Sequence, residues 1–329
     1  MDDPLTDKDV DILFDDKKRS VPLIPGVWQM TEKIIGAIKD KKFKSAVQKI
    51  KEELEEQEGD EGKKKLVFML ENIISSIDQK IRVIGKDTLC GLNKEEWKDL
   101  RSIVQKEIKE LVSVHSNETI SIAHSSQLHC DFASWIGYAS RKHAIEIFTT
   151  NYDYLFEIGL ESKRLSYFDG FVGGYKPFFD PISVENDHLM PQWTRLWKLH
   201  GSLGWCYDKE EERIIRSREI HVDEIVIYPS MLKYDDSRKQ PYSSYIGRLS
   251  SFLKKDDGIL FICGYSFGDD HLNDVIMNSL AQSKSSTVIA LIFDSDLNEN
   301  SIPIKIGRRS SKIMVCGTKN ALIGGTLAK

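Results

Sequence analysis

Gly258-Ile259-Leu260-Phe261-Ile262-Cys263-Gly264 is an apolar run of strand length with a glycine at each end. A strand that is apolar at every position is typical of a parallel sheet covered on both faces, because alternation appears only where one face meets water. A helical pattern follows directly, with Leu272, Val275, Ile276 and Leu280 on one face. A buried strand followed by a helix is the repeating unit of an α/β fold.

Similar apolar runs of strand length recur through the second half of the chain. Short runs rich in apolar and β-branched residues lie at 144–148, 195–199, 224–228, 288–293 and 312–316. A weaker strand candidate lies at Val10–Phe14. Residues 1–27 and 143–329 are therefore predicted to form one α/β domain with a doubly wound, Rossmann-like parallel sheet.

Residues 28–142 follow a helical period instead. Two apolar stripes carry this pattern, and their members are Trp97, Leu100, Val104, Ile108 and Leu111, and Leu66, Met69, Ile73, Ile77 and Ile81. The pattern predicts a helical subdomain, either inserted into the α/β domain or packed against it as a layer. The run at 52–65 carries both charge signs and two glycines. We interpret that run as a solvated helix end and loop, with a partner-binding tail as the alternative.

Composition excludes several classes of function. The chain of 329 residues has 46 basic and 51 acidic residues, a net charge of −5, which gives no global field for non-specific nucleic-acid binding. Five widely spaced cysteines, without a CxxC pair, argue against a zinc ribbon and a disulfide framework, so no metal is expected. Without a signal-like start or a long apolar run, the chain is expected to be cytoplasmic and to bind no membrane.

Ligands of open α/β sheets bind beyond the carboxyl ends of the strands. The first such end reads Ile147-Phe148-Thr149-Thr150-Asn151-Tyr152-Asp153. Its hydroxyl, amide and carboxyl side chains suit a ligand with several hydroxyl groups, such as a ribose. The alternative is a helix N-cap, which is a common use of Asn and Asp but needs only one of them.

A histidine follows the second strand end, in Lys198-Leu199-His200-Gly201-Ser202. Histidine is the side chain whose ordinary charge change lies nearest neutral pH, so His200 is the best candidate for a general base. A hydrogen-bonded structural role is the alternative for a single histidine at a strand end.

The third strand end reads Gly264-Tyr265-Ser266-Phe267-Gly268-Asp269-Asp270. Gly264 and Ser266 would let backbone N–H groups face a phosphate. Asp269 and Asp270 would repel an anion and are better explained as caps of the following helix, together with His271.

Two later strand ends carry weaker signals. Asp294 is an acid at the carboxyl edge of the sheet, where it could hold an adenosine ribose or form a turn. Gly317 could let an adenine lie flat against the backbone.

The motifs at 149–153, 198–202 and 264–269, in this order and with Ile227-Tyr228-Pro229 between the last two, resemble the sirtuin-like NAD-binding fold. The resemblance covers about residues 144–318. It is closest to bacterial antiphage sirtuin-like proteins, in particular the subunit that assembles with a HerA-type ATPase. The family's protein deacylases carry a four-cysteine zinc ribbon, which the cysteine spacing here does not provide.

The resemblance implies an NAD hydrolase that releases nicotinamide and ADP-ribose. Asn151 would position the attacking water and His200 would act as general base near the ribose hydroxyls. The residues expected to shape the pocket and contact the dinucleotide are Thr149, Asp153, Gly264, Ser266, Asp294 and Gly317. The resemblance also implies a homo-oligomer gated by a HerA-type ATPase, with 28–142 as the interface and nucleic acid met only through the partner.

One stretch departs from the family. Sirtuin-like proteins place a Gly-Ala-Gly-x-Ser turn after their first strand, whereas residues 15–20 read Asp-Asp-Lys-Lys-Arg-Ser. Ser20 is the single candidate on this loop, and the missing glycines hinder close backbone approach to a pyrophosphate. The departure motivates the main alternative, a catalytically silent sensor of NAD or ADP-ribose. A protein deacylase and a nuclease component are weaker alternatives.

Overall fold

The computed structural model describes residues 27–58, 70–113, 128–186, 190–217, 224–226, 240–292 and 297–328. Contacts divide the chain into two compact units, residues 1–180 with 188–236, and residues 181–187 with 237–329. Four features singled out from the sequence lie outside the described residues. They are the first strand candidate at Val10–Phe14, the loop at 15–20 with Ser20, the Ile227-Tyr228-Pro229 stretch and Asp294. The domain boundaries predicted from the sequence stay a prediction.

The first unit begins with a helical block. Its helices are α1 (Val27–Ala37), α2 (Lys41–Glu58), α3 (Leu70–Val83) and α4 (Lys94–Val112). The start of α4 is fixed by a capping box, in which Asn93 accepts from the Glu96 amide and Glu96 accepts from the Asn93 amide. This block confirms the helical prediction for the described part of 28–142.

The apolar stripes face a shared core. Trp97, Leu100, Val104 and Ile108 of α4 are buried as predicted, but Val112 is buried at the end of the stripe where Leu111 was expected. The same core includes Leu203, and Tyr152 and Tyr154 pack against it. The helical block is thus packed directly on the strand ends where the sequence places candidate residues.

The parallel sheet of the first unit has three strands in the order β1-β5-β2. These are β1 (Glu146–Thr149), β2 (Tyr167–Phe168) and β5 (Thr194–Lys198). In the register of β1 and β5, Glu146 faces Arg195 at one end and Thr149 faces Lys198 at the other. Two helices, α5 (Leu128–Tyr138) and α6 (Leu155–Ser162), share a core with β1 and β5 through Ala133, Ile136, Ile147, Leu160 and Leu196.

A second sheet of the first unit corrects the sequence prediction. Its strands are all antiparallel in the order β3-β4-β7-β6-β8, with β3 (Phe171–Val172), β4 (Phe178–Phe179), β6 (Gly201–Asp208), β7 (Arg213–Arg216) and β8 (Glu224–Val226). The predicted parallel strand at 224–228 pairs antiparallel with β6 instead. Residues 201–205, expected in a polar turn, begin β6, because Leu203, Trp205 and Cys206 are buried despite the two glycines.

The second unit contains a five-stranded sheet in the order β13-β12-β11-β10-β9. Three parallel strands, β9 (Ile259–Cys263), β10 (Thr287–Leu291) and β11 (Ile313–Cys316), match the predicted runs. The helices are α7 (Pro181–Glu185), α8 (Tyr242–Lys254), α9 (Asp270–Gln282) and α10 (Ile302–Gly307). An antiparallel hairpin of β12 (Ala321–Ile323) and β13 (Thr326–Ala328) extends the sheet beyond the strand predicted to be last.

The predicted α/β class with parallel strands and helices is confirmed, and it is consistent with a Rossmann-like fold. The expectation that every parallel strand is covered on both faces is wrong for β9. Ile259 and Phe261 are 54% and 61% exposed, and since they alternate along the strand with less exposed residues, one face of β9 is open. Every helix in the described part of the chain is too short or too polar to span a lipid bilayer.

Candidate functional site

The two strand ends that carry Asn151 and His200 are neighbours in the first unit. Thr149 and Lys198 are opposite each other at the ends of β1 and β5, and each candidate lies two residues beyond. The Leu199 amide donates to the Thr149 oxygen at 2.8 Å, which continues the ladder past the last paired residues. The structure therefore brings the two predicted segments together at one edge of the parallel sheet.

Further hydrogen bonds join the turn after β1 to the start of β6. The Leu203 amide donates to the Tyr152 oxygen at 3.0 Å, and the Ser202 hydroxyl donates to the same oxygen at 3.5 Å. The Tyr154 hydroxyl donates to the Leu203 oxygen. Residues 149–154 and 198–203 thus form one hydrogen-bonded edge, which we call the paired strand ends.

The predicted residues differ in exposure at this edge. Asn151 is exposed and His200 is half-buried, so both are accessible to a ligand. Thr149 is 7% exposed and its hydroxyl accepts from the Asn151 amide at 3.1 Å, which fixes the backbone that carries Asn151. The helix-cap alternative is wrong for both residues, since the N-cap of α6 is Tyr154, which makes no side-chain cap. Asp153 Oδ1 instead accepts from the Leu155 amide at 2.9 Å in the turn just before the helix.

Asp153 is only partly satisfied by that contact. Its side chain is 3% exposed, and its second oxygen, Oδ2, is buried without a donor among the described residues. A buried polar atom without a partner is rare and costly in a folded protein. Asp153 Oδ2 is therefore an unsatisfied acceptor buried directly behind this edge.

A buried lysine lies behind the same edge. Lys198 is 2% exposed, its Nζ lies 2.9 Å from Glu157 Oε1, and it also donates to the main-chain oxygen of Asp153. The ring of Tyr154 lies 5.5 Å from the same ammonium group. The sequence motif contained Lys198, but its role was missed; a lysine inside an apolar strand was the available signal.

Charge is not balanced in this interior. Three buried acidic residues, Asp153, Glu157 and Asp169, accompany two cations, the buried Lys198 and the half-buried Arg216. Burial raises the pKa of Glu157, and Lys198 opposes that shift. Burial likewise raises the pKa of Asp169, against the effect of Arg216. We call these five residues the buried charge cluster, and its formal sum favours positive charge in a ligand.

One histidine without a predicted role contributes to the same environment. His129 of α5 is near enough to Asp153 and Lys198 for both to affect its titration. Burial is the main cause that lowers the pKa of His129, and Asp153 partly opposes it. The neutral imidazole is therefore favoured, and His129 adds no cation to the cluster.

The glycine turn of the second unit is held by its own side chains. Gly264 has a φ of +68°, a conformation that favours glycine, and is exposed, as is Ser266, whose hydroxyl accepts from the Gly268 amide at 3.3 Å. Tyr265 Oη donates to Asn273 Oδ1 at 3.0 Å, and Asn273 Nδ2 donates to the Phe267 oxygen at 2.8 Å.

The first turn of α9 does not favour an anion. Asp269 is the N-cap and accepts from the Leu272 amide at 3.1 Å, as predicted, and Asp270 follows it in the first turn. His271 lies in that turn too. A phosphate would thus have to be met by the turn at 264–268 rather than by the helix N-terminus. Gly317, after β11, donates its amide to the Asn320 oxygen at 2.9 Å.

The first unit offers polar atoms that suit NAD. Among the described residues, no three His, Cys, Asp or Glu side chains converge as metal ligands would. NAD fits this unit, since its ribose hydroxyls and carboxamide supply donors for Asp153 Oδ2 and its nicotinamide ring carries positive charge toward a cluster with surplus negative charge. Asn151, His200 and Asp153 are the residues of this edge that could hold its nicotinamide ribose.

Comparison with known proteins locates this edge within a recognised domain. No curated protein matches the chain. A family model for the SIR2-like domain matches residues 145–307, a stretch that contains Asn151, Asp153, His200, Gly264 and Ser266 but not Gly317. SIR2-like domains use NAD, so the match indicates NAD-related activity. The matched stretch is just under half of the chain, and over it the chain is similar to the SIR2-like domain.

Proposed function

We propose that the protein hydrolyses NAD to nicotinamide and ADP-ribose at the paired strand ends. The observation that carries this proposal is the placement of accessible Asn151 and His200 on hydrogen-bonded neighbouring turns, beside a buried carboxylate oxygen of Asp153 that lacks a donor among the described residues. The similarity of residues 145–307 to the SIR2-like domain supports NAD as the substrate class.

The residues divide the reaction between them. The bond between ribose C1 and the nicotinamide nitrogen of NAD breaks, and the electron pair of that bond leaves with nicotinamide. The Asn151 amide orients a water molecule toward C1, and His200 accepts the proton that this water loses as its oxygen bonds to carbon. Asp153 Oδ2 accepts a hydrogen bond from the substrate, and the buried charge cluster stabilises the positive charge that develops on the ribose. Gly264, Ser266, Gly317 and Asp294 stay predictions of the sequence for residues that contact the phosphates and the adenosine end of NAD.

The test is release of nicotinamide and ADP-ribose from NAD by the purified chain, alone and with a HerA-type ATPase. We expect Asn151→Ala and His200→Ala each to lower turnover by about 100-fold or more. His143→Ala and Asn278→Ala are matched controls, because both side chains are exposed; His143 precedes the start of β1 and Asn278 lies on α9 of the second unit. Loss of turnover in the controls as well, or its survival in both site variants, would contradict the assignment.

A catalytically silent NAD or ADP-ribose sensor is the second candidate. The glycine-free loop at 15–20 favours it, as do Asp269 and Asp270 at the start of α9, since both weaken the expected phosphate contacts. A sensor binds NAD or ADP-ribose in calorimetry under conditions in which no nicotinamide is released, so the same samples decide between the two functions.

We further propose that this activity belongs to antiphage defence in the bacterial cytoplasm and is gated by assembly into homo-oligomers with a HerA-type ATPase. An unchecked NAD hydrolase would kill its own cell, which is the reason for gating. Helix α5, which lies within 28–142, supports an interface between copies of this chain, since Leu128, Phe132, Trp135 and Tyr138 are all exposed on it. Aromatic residues are enriched at such interfaces. Sedimentation of Trp135→Ser at micromolar concentration should then show smaller assemblies than the unaltered chain forms.

A further inference from the structure

The ammonium group of Lys198 joins three segments that the sequence keeps apart. Lys198 is the last residue of β5, its Nζ lies 2.9 Å from Glu157 on α6, and it donates to the Asp153 oxygen in the turn after β1. Lys198 is 2% exposed and the Glu157 side chain 12%, so water hardly competes for these contacts. A charge-assisted hydrogen bond in such surroundings is among the stronger polar contacts in proteins.

The acceptor on Asp153 is a main-chain atom, so the contact holds the backbone of the turn. Asn151 lies two residues before Asp153, and His200 lies two residues after Lys198. The lysine therefore spans the short path between the two candidate residues. Glu157 supplies the counter-charge and anchors the arrangement on α6.

Stability alone is a weak reason for such a pair. The desolvation of two buried charges offsets most of their attraction, and apolar replacements of buried pairs are often neutral or stabilising. The same two strands carry a second buried pair, Arg195 Nη1 with Glu146 Oε1 at 3.3 Å, at their opposite end. That pair lies away from both turns, so the two pairs separate a general effect of buried charge from a local effect on the turns.

We infer that Lys198, with Glu157 as its counter-ion, is a positioning residue that fixes the turn at 150–154 against the turn at 199–203 and so sets Asn151 and His200 relative to each other. Its catalytic consequence rests on the proposed NAD hydrolysis. Its structural consequence does not, because the tether itself is a contact between described atoms of the protein.

The test compares two double variants of the full chain. Lys198→Met/Glu157→Leu removes the tether and leaves no unpaired charge at that position, which protects folding. Arg195→Met/Glu146→Gln is the matched control, in which the introduced amide oxygen can still accept the hydrogen bond that the Trp197 indole donates to Glu146 at 2.8 Å. Hydrogen exchange is followed at the amides of Asn151, Leu155 and Leu203, and kcat and KM for NAD are measured on the same samples.

We expect exchange at these amides to rise at least about tenfold in the Lys198→Met/Glu157→Leu protein and to stay within about threefold in the control. We also expect kcat to fall about 10- to 100-fold while KM changes less than about threefold, because misplaced groups affect the chemical step more than binding.

Unchanged exchange in the turns, or equal changes in both double variants, would overturn the inference. Increased exchange in the Lys198→Met/Glu157→Leu protein with an unchanged kcat would also overturn the inference, because the tether would then not position the catalytic groups. Increased exchange in a protein whose unaltered form never releases nicotinamide would support the tether while rejecting NAD hydrolysis, so the two failures are distinguishable.

Discussion

Replacement of Lys198 alone by Met should destabilise the protein in a pH-dependent way. The single change leaves Glu157 buried without its cation, and loss of one partner of a buried pair costs about 3–5 kcal/mol. For a folding unit of about 150–250 residues each 1 kcal/mol lowers Tm by about 2–4 °C, so a fall of about 6–20 °C is expected at neutral pH.

The sign of the pH dependence follows from Glu157. Burial raises the pKa of Glu157 above its ordinary value of 4.5, and removal of Lys198 takes away the interaction that lowers it. The folded variant then binds a proton more tightly than the unfolded chain does. Its stability is retained below the unfolded pKa and is lost as the pH rises toward the folded pKa, by at most about 1.4 kcal/mol per pH unit.

Thermal denaturation at pH values of about 5, 6, 7 and 8 measures this difference, since the range begins near the unfolded pKa of a glutamate. Leu100→Ala is the control, since it removes a fully buried apolar side chain in the same unit and is expected to cost about 2–5 kcal/mol without a titrating group. The gap in Tm between the unaltered chain and Lys198→Met should widen with pH, whereas the gap for Leu100→Ala should stay nearly constant. A constant gap for Lys198→Met would refute the assignment of the cost to an uncompensated Glu157.

Three further changes test the packing around the candidate residues, each by thermal or urea denaturation. Gly159→Ala places a Cβ 2.7 Å from the His129 main-chain oxygen. We expect the free energy of unfolding to fall by about 1–2 kcal/mol, because the separation of α5 and α6 outweighs the gain in helix propensity. A stabilised protein would contradict this expectation. Gly204 has a φ of +79°, and an added Cβ would overlap the Ser217 oxygen and the Tyr154 hydroxyl. We therefore expect Gly204→Ala to lower the free energy of unfolding by more than about 2 kcal/mol. An unchanged Tm would contradict this. Asp269→Ala removes the cap of α9 and should cost about 1 kcal/mol, whereas Asp269→Asn should cost less because the amide oxygen still accepts from Leu272; equal losses in the two proteins would show that the cap is not the cause.

The strands were predictable where burial depends on local sequence. The runs at 259–263, 287–291 and 313–316 are apolar over a strand's length and separated by helical periods, so their type follows from periodicity alone. Strand β6 was not predictable in this way, because Gly201 and Gly204 are typical of a turn. Its burial comes from the helical core, to which Leu203 belongs and which is distant in the sequence, and from pairing with β7 and β8.

Among the candidate residues too, some could be selected from local sequence and others only from the fold. Asn151 and His200 could be selected from the sequence because polar residues after apolar strands lie at the edge where α/β proteins bind ligands. The parallel register of β1 and β5 explains why the two become neighbours. Glu157 could not be selected, since a carboxylate in a short helix is ordinary until the fold buries it opposite Lys198. Ser20 and Asp294, outside the described residues, remain predictions of the sequence.

Two explanations compete for the surplus negative charge of the buried cluster, and they apply to different residues. A protein cation accounts for Glu157, whose Oε1 lies 2.9 Å from the Lys198 ammonium group. The same explanation is less suited to Asp153, whose Oδ1 already accepts from the Leu155 amide while its main-chain oxygen accepts from the Lys198 ammonium. Asp153 Oδ2 still lacks a protein donor among the described residues. Since a folded protein keeps such an atom at a cost to stability, and keeps it two residues from accessible Asn151, the missing donor is best sought in the substrate.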